Sequence, residues 1–166
     1  MDVYSQRIIR HSVADKMKAT NNIKAWQMAF KPRKTTNFRH GLIHHSERGG
    51  QCVSNGYVGL PERANVHISM CDQVYENAHI EEVNGLMKNQ YLIYRQITNF
   101  AELIKESNRT VRTYNTQKPH SALGKLTPCA FEKHIKELEA DKRPRLTIWT
   151  CNQLNYSNPN QWFIQF

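Results

Sequence analysis

A chain of 166 residues is long enough for one domain with a hydrophobic core. Its formal net charge of +9, from 23 Lys and Arg against 14 Asp and Glu, favours a polyanionic partner, most simply a nucleic acid. The sequence has no secretory apolar segment, no apolar run of membrane-spanning length and no C-x-x-C pair among its four cysteines. We therefore expect a cytoplasmic protein that is neither membrane-bound nor built on a zinc ribbon or disulfides.

The first segment, MDVYSQRIIRHSVA (1–14), predicts β-structure. We expect the end of a strand over residues 1–4, a turn at Ser5 and Gln6, and a second strand over residues 7–13. A strand normally follows a few polar residues, so this start suggests that the first strand is incomplete.

A helix is predicted after Asn21 and Asn22, which are suitable capping residues, and Pro32 marks its end. Its large apolar residues recur at i, i+3 and i+7, which is typical of a core-facing helix stripe. These predicted core residues are Ile23, Trp26 and Phe30.

Two short apolar runs, at residues 41–45 and 66–70, predict strands. Between them lies the segment 54–65, where an alternating α/β pattern would place a helix. Its glycines and proline disfavour one, namely Gly56, Gly59 and Pro61.

The second half of the chain predicts three helices, over residues 74–95, 99–114 and 128–141, with a turn at 117–128 before the last. From Pro144 onward the sequence is rich in Asn, Gln and aromatic residues without periodicity, and we expect it to be irregular. Alternating strands and helices predict an α/β domain with a mixed sheet.

Two acidic residues stand out from this pattern. Glu47 directly follows the first apolar run and precedes a Gly-Gly turn, and Glu81 lies 34 positions later on a predicted helix. A strand end and a helix that bring two carboxylates together form the beginning of a site for hard divalent cations. Glu81, Gly85 and Lys88 are also expected to share one helix face, although an ordinary solvated stripe has the same pattern.

Four motifs in order carry a resemblance to a known family. They are HSERGGQ (45–51), similar to H-S-D-x-G-x-Q; NAHIE (77–81) followed by GLMK (85–88), similar to N-A-x-x-E with G-x-x-K; YN (114–115) with PHSAL (119–123); and TP (127–128). This set resembles the integrase-core (DDE) transposases of IS3-like bacterial insertion elements. The resemblance covers residues 1–137, which we interpret as the catalytic core, and leaves 138–166 as an irregular tail.

The resemblance implies an RNase H-like α/β fold, a mixed sheet flanked by helices. It also implies Mg²⁺-dependent cleavage and strand transfer on insertion-element ends and target DNA, by three acidic residues that hold two Mg²⁺ ions. Glu47 and Glu81 would be catalytic metal ligands. The side chains expected to contact DNA are Arg48, Lys88, Lys118 and His120. Homo-oligomerisation is a further expectation.

The chain departs from the family pattern in two places. Glu47 replaces an Asp, and a displacement of about an ångström can cost on the order of 10²-fold in rate. The family's first catalytic Asp, in a segment like T-D-x-T-Y, has no counterpart, because Asp2 aligns with a different aspartate in an L-D-x-x-S-R stretch. We therefore expect an N-terminally truncated core that lacks the first, central strand and most of the second.

Catalysis thus stays open at this stage. One hypothesis is an inactive transposase remnant, or one whose missing ligand comes from a separate upstream polypeptide. The alternative is a non-catalytic basic DNA-binding or inhibitory protein. Zinc binding by His40, His44, His45 and Cys52 is disfavoured, because their spacing matches no standard zinc pattern.

Overall fold

The computed structural model describes residues 1–16, 18–30, 42–46, 57, 59, 66–71, 78–145 and 163–165. In chain order its elements are helix α1 (Ala19–Phe30), strands β1 (Ile43–Ser46) and β2 (His67–Met70), helix α2 (Ala78–Leu86), a π-helical segment (Met87–Leu92), helices α3 (Phe100–Gln117) and α4 (Pro128–Glu137), and strand β3 (Phe163–Gln165). Single 3-10 turns lie at Ser121–Leu123 and Ala140–Lys142. No helix within these ranges is long and apolar enough to cross a membrane.

Strand β1 is the middle strand of a three-stranded sheet with the order β2-β1-β3, and both of its ladders are parallel. Ser46, the last residue of β1, pairs with Met70, the last residue of β2. The strands predicted over residues 41–45 and 66–70 are thereby confirmed. Phe163–Gln165 forms a strand that pairs with β1, so the prediction of an irregular tail is wrong for these three residues. Three residues are too few to show a strand periodicity in the sequence, and the strand is recognised only by its pairing with β1.

The N-terminal segment forms the predicted turn but not the predicted strand. Asp2 is buried, and its carboxylate accepts backbone N–H bonds from Tyr4 (3.0 Å) and Ser5 (3.1 Å). Gln6 has φ +54°, which completes the reversal. Residues 7–13 have no strand assignment, so that prediction is wrong. The Ile8 N–H donates to the Asn115 side chain at 3.0 Å, and the Arg7 carbonyl accepts the backbone N–H of Asp2 at 2.8 Å.

Helix α1 begins at Ala19, so the predicted caps Asn21 and Asn22 lie inside its first turn. The Asn21 side chain instead donates to the Lys16 carbonyl at 2.7 Å. Trp26 is 1% exposed, which confirms it as a core residue. The Trp26 ring packs edge-on against the ring of Tyr57. Tyr57 and Gly59 are helical, although the glycines of this segment were expected to disfavour a helix.

The helical stretch predicted over 74–95 is described from Ala78 onward. Its regular α-helix ends at Leu86, and the next turn is a π-helix over Met87–Leu92, closed by the Ile93 N–H bond to the Lys88 carbonyl (2.9 Å). The π-turn is a departure from the single α-helix that the periodicity predicts.

The last two helices have well-formed N-termini. Asn99 accepts the Glu102 backbone N–H at 2.9 Å, and the Glu102 carboxylate accepts the Thr98 N–H at 2.8 Å. Thr127 caps α4 in the same way, with Pro128 in the first helical position. The helices predicted over 99–114 and 128–141 are confirmed, although α3 extends to Gln117 and α4 stops at Glu137.

Among the described residues, two apolar clusters hold these helices together. The first joins the N-terminal segment, α2 and α3 through Met1, Ile8, Val83 and Tyr114. The second lies under α4 and is formed by Leu123, Phe131 and Ile135. The first cluster fixes the orientation of the helix that bears Glu81.

Candidate functional site

The candidate site lies at the carboxyl edge of β1 and β2. Because the two strands are parallel and in register, the chain leaves both of them at the same edge. Glu47 is the next residue in the sequence after β1, and α2 begins soon after β2. Glu47 and Arg48 themselves lie outside the described residues, so the predicted pairing of Glu47 with Glu81 stays a prediction.

Packing of α2 determines which of its side chains face solvent. Val83 is buried, and Ile80 and Leu86 pack with it against the cluster that contains Tyr114. Glu81 is therefore on the exposed side of the helix. It forms no ion pair with another described residue, so both of its carboxylate oxygens are accessible to a cation or to solvent.

Gly85 and Lys88 follow Glu81 on the same chain segment. A Cβ atom at Gly85 would meet no described residue within 4 Å, so this side of the helix has room for a ligand. Lys88 is exposed and is the second residue of the π-helical turn, two residues past the end of the regular α-helix at Leu86. The i, i+4, i+7 relationship predicted for these residues assumed a straight α-helix, and the π-turn modifies it at Lys88. Such turns often occur at functional sites.

The closing motif packs behind α2. The Tyr114 and His120 rings meet edge-on, with their centroids 4.9 Å apart. Burial raises the pKa of Tyr114 to about 12, with smaller contributions from the negative charge of Glu82 and from Tyr91. Tyr114 thus acts here as a neutral, buried support for the helix that bears Glu81.

His120 and Lys118 are half-buried neighbours of this motif. Burial lowers the pKa of His120, nearby Lys118 lowers it further, and Glu82 partly offsets both. His120 is therefore uncharged at neutral pH. It could meet a phosphate only as a neutral hydrogen-bond donor, whereas Lys118 would supply positive charge.

The histidines of β1 are occupied within the fold. His44 is fully buried; its Nε2 accepts from Trp26 Nε1 at 3.3 Å and lies 2.5 Å from Tyr57 Oη. His45 Nδ1 lies 3.1 Å from Ser69 Oγ. In the part of the chain that the structure describes, no three His, Cys, Asp or Glu residues are grouped to hold a metal ion. The exposed carboxylate of Glu81 is a hard oxygen ligand of the kind that suits Mg²⁺.

Sequence reasoning did not assign a role to Asn115, although it belongs to the YN motif. Its amide bonds the backbone of Ile8 and thereby holds the N-terminal segment against α3. The motif itself was the only signal, because the contact spans 107 positions in the sequence.

The chain is similar to an integrase-core family model and to proteins of bacterial insertion elements. Residues 62–128 match the family model for the integrase core domain. The chain is 32% identical over 142 residues to the insertion element IS600 uncharacterized 31 kDa protein of Shigella sonnei, covering 84% of this chain and 51% of that protein. It is 30% identical over 139 residues to the transposase InsF for insertion sequence IS3A of Escherichia coli (strain K12), covering 80% and 46%. The chain spans about half the length of these curated relatives.

A solved structure has the same fold. The HTLV-2 integrase catalytic core domain, in complex with magnesium and in dimeric form, superposes with a TM-score of 0.50 and 19% sequence identity. The match covers 71% of this chain and 72% of that one. It confirms the RNase H-like α/β fold expected from the sequence.

Proposed function

The chain belongs to the integrase-core family of insertion-element transposases, and from this premise we propose that it takes part in DNA transposition through a metal site at the carboxyl edge of β1 and β2. The observation that supports this most directly is the exposed Glu81 on α2, which is held in position by Val83 and Tyr114. The substrates would be insertion-element ends and target DNA.

In this proposal Glu47 and Glu81 provide carboxylate oxygens for Mg²⁺. The ion would polarise a phosphodiester and lower the pKa of an attacking water or 3′-hydroxyl. Lys88 would contact a phosphate next to Glu81, and Arg48 and Lys118 would add positive charge around it. The net charge of +9 favours such contacts.

We also propose that the chain binds DNA and metal without cleaving DNA by itself. This proposal rests on Glu47, which stands where the family has Asp and whose extra methylene displaces the carboxylate; the family's first catalytic Asp, in a T-D-x-T-Y segment, would come from a second polypeptide. An upstream transposase polypeptide is the partner that would complete the site. We further propose that the chain associates with other copies of itself and acts in the cytoplasm, where the DNA lies.

The test separates binding from catalysis. The purified chain is titrated with Mg²⁺ and Mn²⁺ and incubated with insertion-element-end DNA, with and without a polypeptide that contains the T-D-x-T-Y segment. We expect Glu81→Gln to weaken metal binding and to abolish any cleavage that complementation produces. Glu137→Gln, an exposed charge change on α4, is the matched control and should alter neither.

The second candidate function is a non-catalytic DNA-binding or inhibitory protein, which the strongly basic composition favours. It predicts a salt-sensitive mobility shift of DNA, no products with or without complementation, and no dependence on Glu81. Metal affinity that is the same in Glu81→Gln and in the unmodified chain would overturn the metal-site proposal and leave this one.

A further inference from the structure

A cleft of about 430 Å³ lies between the N-terminal segment, α1 and α3. Its walls come from residues 7–11, from Met28 of α1 and from residues 108, 111, 112 and 115 of α3. Its volume is within the range of small-molecule sites, which span about 300–1,000 Å³. None of Glu81, Lys88, Lys118 and His120 lines it, so it is distinct from the carboxylate edge.

The cleft is cationic. Three arginines line it, namely Arg7, Arg10 and Arg112, and none of the lining residues is acidic. Glu132 forms an ion pair with Arg7 and compensates that charge. Neither Arg10 nor Arg112 has a carboxylate partner among the described residues. Two like charges around one cavity repel each other, and an anion between them would remove that penalty.

The Arg10 guanidinium is held in place before any ligand arrives. Its Nε donates to the Met28 carbonyl at 3.1 Å, and its Nη1 donates to the Ile9 carbonyl at 3.2 Å. A guanidinium has five N–H groups in a planar fork, so donors remain for a ligand. Because the fork is already oriented, binding of an oxyanion loses less side-chain entropy.

One wall of the cleft is apolar. It is formed by Ile9, Val111 and Met28, and Met28 is 43% exposed. A bare inorganic anion would leave this wall in water. A phosphate that carries an apolar or planar group would cover it.

We propose that this cleft binds one nucleotide unit of a DNA strand, with Arg10 and Arg112 on the phosphate and with Met28, Ile9 and Val111 against the sugar or base. Phosphate recognition follows from the cleft alone. The choice of a DNA strand over a free nucleotide rests on the proposed function, and the experiment separates the two.

The experiment measures binding by calorimetry with EDTA present, so that metal chemistry is not involved. The probes are inorganic phosphate, deoxyadenosine monophosphate and a short single-stranded oligodeoxynucleotide. We expect the oligonucleotide to bind more tightly than the mononucleotide, and the mononucleotide more tightly than phosphate. Arg10→Gln and Arg112→Gln should each weaken oligonucleotide binding about tenfold or more, because each removes charge-assisted hydrogen bonds.

Arg145→Gln is the matched control, since Arg145 is exposed and does not line the cleft; it should retain nearly full affinity. Arg10→Lys, which keeps the charge but loses the fork, serves if Arg10→Gln unfolds, and should also weaken binding. Repeating the titration on Glu81→Gln should give unchanged affinity, which distinguishes this site from the metal site.

Three results would overturn the proposal: no binding of any probe, equal losses in Arg112→Gln and Arg145→Gln, or phosphate binding as tightly as the nucleotide. A mononucleotide that binds as tightly as the oligonucleotide would reassign the cleft to a free nucleotide.

Discussion

The side-chain amide of Asn115 bonds both backbone groups of Ile8. Its Oδ1 accepts the Ile8 N–H at 3.0 Å, and its Nδ2 donates to the Ile8 carbonyl at 2.9 Å. Both residues are buried, so these backbone groups are satisfied by the amide in the way that a neighbouring strand would satisfy them. These two hydrogen bonds link α3 to the N-terminal segment. Ile8 belongs to the apolar cluster that contains Tyr114, and both Ile8 and Asn115 line the cationic cleft.

Replacement of this amide should therefore be costly. Asn115→Ala leaves the buried N–H and carbonyl of Ile8 without partners, and we expect the free energy of unfolding to fall by about 2 kcal/mol or more. Urea denaturation followed by circular dichroism measures the loss. Thr116→Ala, which removes an exposed hydroxyl bond to the Arg112 carbonyl on the same helix, should cost much less. Equal effects in the two variants would contradict the role assigned to Asn115.

The buried trio of Trp26, His44 and Tyr57 gives a second prediction. Tyr57→Phe keeps the ring but removes the hydroxyl that lies 2.5 Å from His44 Nε2, and should destabilise the protein by about 1 kcal/mol. Tyr94→Phe makes the same chemical change on a side chain that is 80% exposed and should have no measurable effect. Comparison of the two urea midpoints tests the prediction. A Tyr57→Phe midpoint equal to that of the unmodified protein would show that the hydroxyl bond contributes nothing.

Most of the helices could be predicted from the sequence because their signals are local. Asn99 and Thr127 are capping residues three positions before the N–H groups that they accept, and Pro128 has the φ angle of a first helical turn. The strand expected over residues 7–13 could not be corrected in this way. Its alternation is suitable for a strand, but a strand also requires a partner, and the partner of Ile8 is a side chain 107 positions away.

The candidate site was predictable to the same limited extent. The motifs identified Glu81 and the helix that bears it. The spacing of Ile80 and Val83 also indicates which side of that helix is buried, and Glu81 lies on the other side. The π-turn at Lys88 depends on packing and has no sequence signature. The cationic cleft also required the structure, because Arg10 and Arg112 are distant in sequence and meet only when α3 packs on the N-terminal segment.

Stability should decrease on mild acidification. Burial lowers the pKa of His11; a hydrogen bond to Asn108 opposes this shift and the charge of Arg10 adds to it. Burial also lowers the pKa of His120, and the charge of Lys118 lowers it further. The unfolded chain therefore binds more protons than the folded one below the ordinary histidine pKa of about 6.5, and stability is lost as the pH falls from there through the lowered values. Urea midpoints across this window measure the slope. His120→Gln should flatten it, whereas His134→Gln, on an exposed residue of α4, should leave it unchanged.

Alkaline unfolding should depend on Tyr114. Its pKa is raised to about 12, mainly by burial, whereas an unfolded tyrosine titrates near about 10. Above the lower value the unfolded chain loses its proton while the folded chain keeps it, so stability is present below about pH 10 and is lost as the pH rises toward 12. Tyr114→Phe removes the titrating group and keeps the ring against Val83, so its alkaline unfolding midpoint should lie at higher pH than that of the unmodified protein. Tyr94→Phe should not shift the midpoint, and a shift of equal size in both variants would assign the alkaline transition to groups other than Tyr114.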